Sequence, residues 1–243
     1  MGAVDRFRLA SDPWLSGILG RPAWTVVPGS GGAADLAELS RPGPHFATAK
    51  VPAADTAGID ALQVFGFRVV DLALSLDADR VCAPQSGTPM RFARPADRAG
   101  VEAIAGSAFR FSRFHLDPHL PKALADKVKA AWAANWFLGG RGDGMVVAED
   151  AQGAVAGFLQ LLWAAEDCLV IDLIAVLPSS ARKGLASAMI GFAQARGTGD
   201  LRRPRRMRVG TQAANTGSVR LYEALGFRLC DANYVLHHHG SAA

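Results

Sequence analysis

Apolar and polar positions alternate with a period of two from Phe46 to Val51. Runs rich in β-branched residues cover Phe67 to Leu76 and Cys168 to Val176. Both patterns predict strands, since alternate side chains of an extended chain face opposite sides. Helical spacing appears at Leu185, Ala188, Met189 and Phe192, and helices are expected at Ala57 to Val64 and Leu120 to Leu138. Further strands are expected at Trp24 to Val27 and Met90 to Arg94, with a helix opened by Pro95 and Asp97 running to about Phe109. Met145 to Glu149 and Gly157 to Trp163 predict a hairpin around Ala151-Gln152-Gly153. The first residues show no clear period, and Trp14 and Trp24 serve as core anchors. Gly29 to Ala34 is expected to be a loop. Strands that alternate with helices predict an α/β fold.

One stretch combines these signals. Ile171 to Val176 is strand-like, Pro178 stops the ladder because it has no N–H, and Ser179 and Ser180 are good helix caps. The turn Ala181-Arg182-Lys183-Gly184-Leu185-Ala186 is basic and holds a glycine. Strand, turn and helix together present backbone N–H groups, a helix dipole and two cations, which suits a phosphate or pyrophosphate. A second stretch reads MRVGTQAANTGSVRLYEALGFR from Met207 to Arg228. Met207 to Thr211 suits a strand, Asn215 and Thr216 cap a helix, Gly226 ends it, and Phe227 starts another strand.

These two stretches resemble the GNAT N-acetyltransferases. Gly184-x-Ala186 matches the end of the family's Q/R-x-x-G-x-G/A turn, while Ala181 stands where Arg or Gln is usual and Arg182 follows it. Asn215, Tyr222, Gly226 and Phe227 match N-x-x-[AS]-x-x-x-Y-x-x-x-GF. The resemblance implies a GNAT fold, with a mixed central sheet and flanking helices, and acetyl-CoA as co-substrate. It assigns the cofactor to Ile174, Ala175, Val176, Arg182, Lys183, Gly184, Leu185, Ala186, Ser187, Asn215 and Tyr222. Tyr222 is implied as the acid that protonates the departing CoA thiolate.

Shifted by 160 positions, AADTAGIDALQVFGFRVVDLALSL (53–76) falls on AANTGSVRLYEALGFRLCDANYVL (213–236). Ala53, Ala54, Thr56, Gly66, Phe67, Arg68, Asp71 and Leu76 match identically. Duplication is the favoured explanation, with convergence on a shared strand–helix–strand requirement as the alternative, and the copy has Asp55 for Asn215 and Leu62 for Tyr222. Residues 1–87 are therefore expected to be a truncated GNAT-like domain that walls the acceptor site. Residues 88–243 are expected to form the catalytic domain, with Ser75 to Pro89 as linker.

Composition narrows the alternatives. The chain has 243 residues, half of them hydrophobic and 20% charged, which supports a sizeable core. A net charge of +4 suits an anionic ligand but is mild for nucleic acid. The basic run Leu201 to Arg208 lacks stacking aromatics, so no nucleic-acid partner is expected. Cys82, Cys168 and Cys230 form no metal or disulfide pattern. His237-His238-His239 is expected to extend the last strand without carboxylate company, so no metal is expected. The N-terminus has no apolar signal core and no run is long enough for a membrane span, which predicts a cytoplasmic protein.

The chain further resembles the dTDP-4-amino-4,6-dideoxygalactose (TDP-fucosamine) acetyltransferases. The similarity rests on Ala53 to Phe67, the A-F-x-x-S-R-F element at Ala108 to Phe114, and R-V-x-T-Q-x-x-N-T at Arg208 to Thr216. It implies a small-molecule acceptor, a nucleotide-linked amino sugar, acetylated by direct attack of its amine. The general base is left among Asp71, Asp172 and His115, with Asp71 foremost. Arg113, His115 and Trp136 are candidates for holding the acceptor. A homodimer paired through C-terminal strands is also implied. The competing readings are acetylation of a protein N-terminus or other small amine, and an inactive CoA-binding module.

Overall fold

The computed structural model describes residues 6–29, 36–83, 87–200 and 202–240. The strands are β1 (Phe7–Ser11), β2 (Ala23–Pro28), β3 (His45–Pro52), β4 (Arg68–Ala78), β5 (Met90–Phe92), β6 (Gly144–Glu149), β7 (Val155–Trp163), β8 (Cys168–Val176), β9 (Arg206–Gln212) and β10 (Arg228–Gly240). The helices are α1 (Pro13–Leu19), α2 (Thr56–Val64), α3 (Arg98–Ala108), α4 (Arg113–Leu116), α5 (Lys122–Phe137), α6 (Leu185–Arg196) and α7 (Thr216–Ala224). All of these strands join one mixed sheet, ordered β1-β2-β3-β10-β4-β9-β8-β7-β6-β5. The pairs β2–β3 and β8–β9 are parallel, and the rest are antiparallel.

Period-two sorting puts helices on both faces. Val146, Ala148, Leu159 and Leu161 pack with Leu185, Met189 and Ile190 of α6. Their strand neighbours Met145, Val147 and Phe158 pack with Val101, Ile104 and Ala105 of α3 on the other side. β6 and β7 are thus buried on both faces and read as nearly continuous apolar runs.

The N-terminal segment is more regular than its sequence predicts. β1 pairs with β2, and α1 follows a cap in which the Asp12 carboxylate accepts the Leu15 N–H at 2.8 Å. A seven-residue helix that buries only Leu15 leaves no periodic stripe to read. Within the expected 29–34 loop only Gly29 is described. The stretch 75–89 begins inside β4, and 84–86 lie outside the described residues.

The strands of 1–87 and 88–243 interleave. β10 lies between β3 and β4, and β4 lies between β10 and β9. The 160-position repeat reappears as a pseudo-twofold in the register. Asn233 pairs with Pro52 and Ala73 with Gln212, and the second pair shifted gives the first. β4 and β10 pair through Ala73 and Asn233, which are each other's equivalents. On either side of that pair the ladder slips once, leaving Val70 and its equivalent Cys230 unpaired. Helix caps repeat as well: Asp55 accepts from the Gly58 N–H at 3.0 Å, and Asn215 from the Ser218 N–H at 3.3 Å. Gly66 and Gly226 both take positive φ after the helices, where a side chain would be strained.

Candidate active site

The site starts where two strands part. β8 and β9 pair from Cys168↔Arg206 to Ile171↔Val209 and no further. Beyond that point β8 stays with β7, and β9 stays with β4. Asp172 bulges out of the β7–β8 ladder between Leu173 and Ile171, which bends β8 away. The facing edges of residues 172–176 and 210–212 are left without ladder partners. Backbone N–H and C=O groups there are open to a ligand.

A cavity of about 550 Å³ fills the gap. Its wall includes β8 from Asp172 to Val176, the end of β9, Asn215 and Tyr222 of α7, Asp71 of β4, the segment 108–114, and Lys129 and Trp132 of α5. Ile174, Ala175, Val176, Asn215, Tyr222, Asp71 and Arg113 therefore meet around one space. Asp71 and Tyr222 come from opposite ends of the chain, and only the interleaved sheet brings them to the same wall.

Tyr222 is 3% exposed and packs edge-on against Phe227, with ring centroids 5.7 Å apart. Burial raises its phenol above the ordinary value, so the group keeps its proton at neutral pH. Asp71 follows the unpaired Val70 on β4 and is 6% exposed, with Oδ2 buried and without a hydrogen-bond partner. Burial pushes its carboxyl up to about 6, against the opposing pull of the Leu72 amide and the Arg113 charge. Its repeat equivalent Asp231 is exposed and accepts from Asn233 Nδ2 at 2.6 Å. Only one copy of this aspartate faces the cavity.

Asp172 is also on the wall, but its oxygens are taken. Trp132 Nε1 and Gln160 Nε2 donate to Oδ2 at 2.9 and 3.0 Å, and Arg141 donates to both oxygens at 2.9 and 2.6 Å. A carboxylate held by four donors orients its neighbours better than it accepts a proton. His115 does not line the cavity. Its ring is engaged by Ser112 Oγ at 2.6 Å and Asp126 Oδ1 at 2.9 Å, and burial lowers its pKa. Trp136 also lies off the wall, one helical turn past Trp132, packed edge-on against Phe137 at 4.8 Å.

The turn before α6 has the expected form with a different cap. Ser179 and Ser180 sit in a short 3-10 turn, and the residue that caps α6 is Gly184, at φ 77°. Arg182 also takes positive φ, 60°. No side chain caps the helix, so its first N–H groups are free for an anion. Arg182, Lys183 and Gly184 are exposed at this helix start, Ala186 and Ser187 are half-buried, and Leu185 is buried beneath. The stretch belongs to the protein surface and not to the cavity wall.

Two features run against the sequence pattern. Lys129 is 9% exposed and lines the cavity, although it falls on the buried stripe of α5 with Ala125, Val128 and Ala133. A lysine at a core position of an amphipathic helix is the signal that points to it. The histidine run, expected to lack carboxylate company, meets Asp117. His237 Nδ1 and His239 Nε2 lie 2.6 and 2.8 Å from Asp117 Oδ2. Burial works to raise the Asp117 carboxyl, but the hydrogen bonds from the two rings outweigh it and hold the group far below its usual range. These three side chains are close enough together to ligate an ion. Nothing local in the sequence pairs position 117 with 237, because the contact depends on β10 entering the sheet.

Residues 109–227 match the acetyltransferase (GNAT) family. The chain carries a GNAT acetyltransferase domain with the GNAT fold. Among curated relatives, it is 32% identical over 143 residues to the spore coat polysaccharide biosynthesis protein SpsD of Bacillus subtilis, a match covering 59% of this chain and 48% of the relative. It is 28% identical over 189 residues to the dTDP-fucosamine acetyltransferase of Escherichia coli O6:H1, covering 78% and 80%. The match thus spans about half the length of the first relative and most of the second. A tandem GNAT protein from the clavulanic acid biosynthesis pathway superposes with a TM-score of 0.58 at 15% identity, over 92% of this chain and 77% of that one. A functionally unknown conserved protein from Staphylococcus epidermidis does so with 0.60 at 14%, over 96% and 91%. Both likenesses concern the fold alone. No helix among the described residues is long and apolar enough to cross a membrane.

Proposed function

We propose that this protein moves acetyl from acetyl-CoA to the amine of a nucleotide-linked amino-dideoxy sugar. The observation that carries the proposal is the meeting of Asp71 and Tyr222 on the cavity opened by the parting of β8 and β9. The donor fits the residues present: an uncapped α6 N-terminus after a basic turn for the pyrophosphate, and unpaired strand edges for the arm. Similarity to a dTDP-fucosamine acetyltransferase over most of both chains supports the sugar acceptor.

In the mechanism, the acceptor enters as an ammonium and must lose a proton before attack. Asp71, raised to about 6 and with one free oxygen, takes that proton directly or through water. The neutral amine attacks the thioester carbonyl, and backbone N–H groups of residues 174–176 stabilise the oxygen as it gains charge. The tetrahedral intermediate collapses as Tyr222 gives its proton to the departing thiolate, and the second proton of the amine nitrogen returns to the phenolate, directly or through water, to leave the neutral amide. No side chain is acylated in this scheme. Arg113 stands beside Asp71 to hold the acceptor. The interleaved N-terminal strands close one side of the pocket, which favours a compact acceptor over a peptide.

The test is acetylation of a panel: dTDP- and UDP-linked amino sugars, polyamines and peptide N-termini. Transfer to a nucleotide amino sugar, with little to the others, is the expected result. Transfer to peptides or polyamines alone refutes the acceptor assignment, and no transfer to any amine refutes the enzyme reading.

A further inference from the structure

Two cations on the cavity wall have no ion-pair partner among the described residues. Lys129 is nine-tenths buried, and its Nζ lies 4.8 Å from the ring centres of both Phe109 and Trp132. It makes no hydrogen bond with a described residue. Aromatic faces attract an ammonium, but they do not neutralise it. Arg113 sits at the start of α4 with its guanidinium 4.8 Å from the Phe114 ring, and its Nε is buried without a partner. Asp12 and Asp71 act on Arg113 only through space, and burial outweighs both. Among the described residues, the carboxylate whose charge reaches Lys129 is Asp172, which already receives bonds from Arg141, Trp132 and Gln160.

The two cations line the same cavity and feel one another's charge. After burial, the charge of Arg113 is the next influence pulling the Lys129 ammonium down to about 8. Arg113 also bears on Asp71. Its charge therefore acts on both Asp71 and Lys129 around the one cavity that all three line. Unpaired like charges on the wall of one buried pocket are costly unless an anion joins them. The donor's pyrophosphate does not fill this place, because the Arg182–Ala186 turn is not part of the cavity wall. The built charge belongs to the acceptor half.

We propose that Lys129 and Arg113 form a seat for a phosphate or diphosphate on the acceptor, set beside the amine that Asp71 serves. The proposal rests on the nucleotide-sugar reading above and adds the residues that select for it. Lys129 acts here in specificity: it reads the anion and has no part in proton transfer. Its removal raises KM and spares kcat. An amine without the anion gains nothing from it.

The experiment separates the seat from the acceptor reading. Enzyme saturated with CoA, so that the donor's own phosphate sites are filled, is titrated calorimetrically with inorganic pyrophosphate and with dTDP. The wild type binds both. Lys129→Met loses at least tenfold in affinity, and Lys129→Arg keeps most of it. Lys129→Gln gives the same reading should the Met variant not fold. With a dTDP-linked amino sugar, Lys129→Met raises KM more than tenfold and leaves kcat within about threefold. Pyrophosphate binding that ignores Lys129, or no binding by the wild type, overturns the seat. A drop in kcat at unchanged KM also overturns it, because that places Lys129 in the chemistry. If Lys129-dependent pyrophosphate binding persists but no nucleotide amino sugar is acetylated, the seat stands and the sugar reading falls.

Discussion

Tyr222 and Asp71 use the same physical fact, burial, to opposite ends. Removing water keeps the phenol protonated and available as an acid, and it raises the carboxyl into the range of a useful base. Tyr222→Phe keeps the ring packing on Phe227 and loses only the proton donor. It is expected to lower kcat by about 10²- to 10⁴-fold with acetyl-CoA affinity unchanged, as read by steady-state kinetics and calorimetry. An unchanged kcat takes Tyr222 out of the acid role. Asp71 makes two linked predictions. It acts as a base only when ionised, so kcat/KM should fall about tenfold per pH unit below about 6 and level off above. In Asp71→Asn that limb should vanish along with most of the activity. The stability effect has the other sign. The pKa rises from 3.8 to about 6 on folding, so the folded state holds the proton more tightly than the unfolded chain. Stability tied to this group is present below about pH 4 and is lost as pH rises to 6. At pH 7 the buried carboxylate costs about 2 kcal/mol, allowing for the cavity's access to water. Asp71→Asn should melt higher than wild type at pH 7 and match it near pH 4. Equal melting temperatures at both would mean the carboxylate is solvated.

The strands that build the site are legible in the sequence because their periods are local. Cys168–Val176 and the hairpin before it emerge from apolar runs and turn residues alone. The turn into α6 is legible for the same reason, down to its glycine. That Gly184 itself caps the helix is not, because a serine pair a few residues earlier is the stronger capping signal by composition. That geometry makes a prediction. Nothing lies within 4 Å of where a Cβ on Gly184 would sit, but its φ is 77°, so a substitution is opposed by the backbone and not by contact. Gly184→Val should cost about 1–2 kcal/mol in that conformation and weaken acetyl-CoA binding roughly tenfold by rearranging the free N–H groups. Gly184→Asn, which tolerates the left-handed region better, should sit between Val and wild type. Thermal melting and CoA titration on the three proteins check the order. Equal CoA affinity in all three would show that the turn does not bind the pyrophosphate. The sequence signal for Lys129 is faint for the converse reason. A helix stripe with one lysine still averages as apolar, and the cavity that gives the lysine meaning is assembled from distant segments.

At the scale of the whole molecule, local patterns are silent on the most consequential feature. The repeat at 160 positions is visible, yet nothing in either copy announces that each lends its last strand to the other. Long-range pairing depends on registers that no short window contains. Once formed, it explains why Asp71 of the first copy lines the same cavity as Tyr222 of the second. It also explains why the equivalents of these two, Asp231 and Leu62, make no second site: Asp231 is exposed, and Leu62 is core. The arrangement ties the two halves more tightly than a linker would. β10 pairs with β3 and β4, and β9 depends on β4 for its second neighbour. A fragment of residues 88–243 would leave β9 and β10 as unpaired edges with the buried faces of Val209, Val235 and Leu236 open to water. Such edges template aggregation. The fragment should therefore be insoluble, or bind hydrophobic dye, and should have no acetyltransferase activity. Residues 1–87 supplied in trans should restore a soluble complex, because β4 then refills its place between β10 and β9. Size-exclusion chromatography and activity of the co-expressed halves check this. A soluble, active 88–243 fragment would show that the sheet closes without β4 and that Asp71 is dispensable for the chemistry.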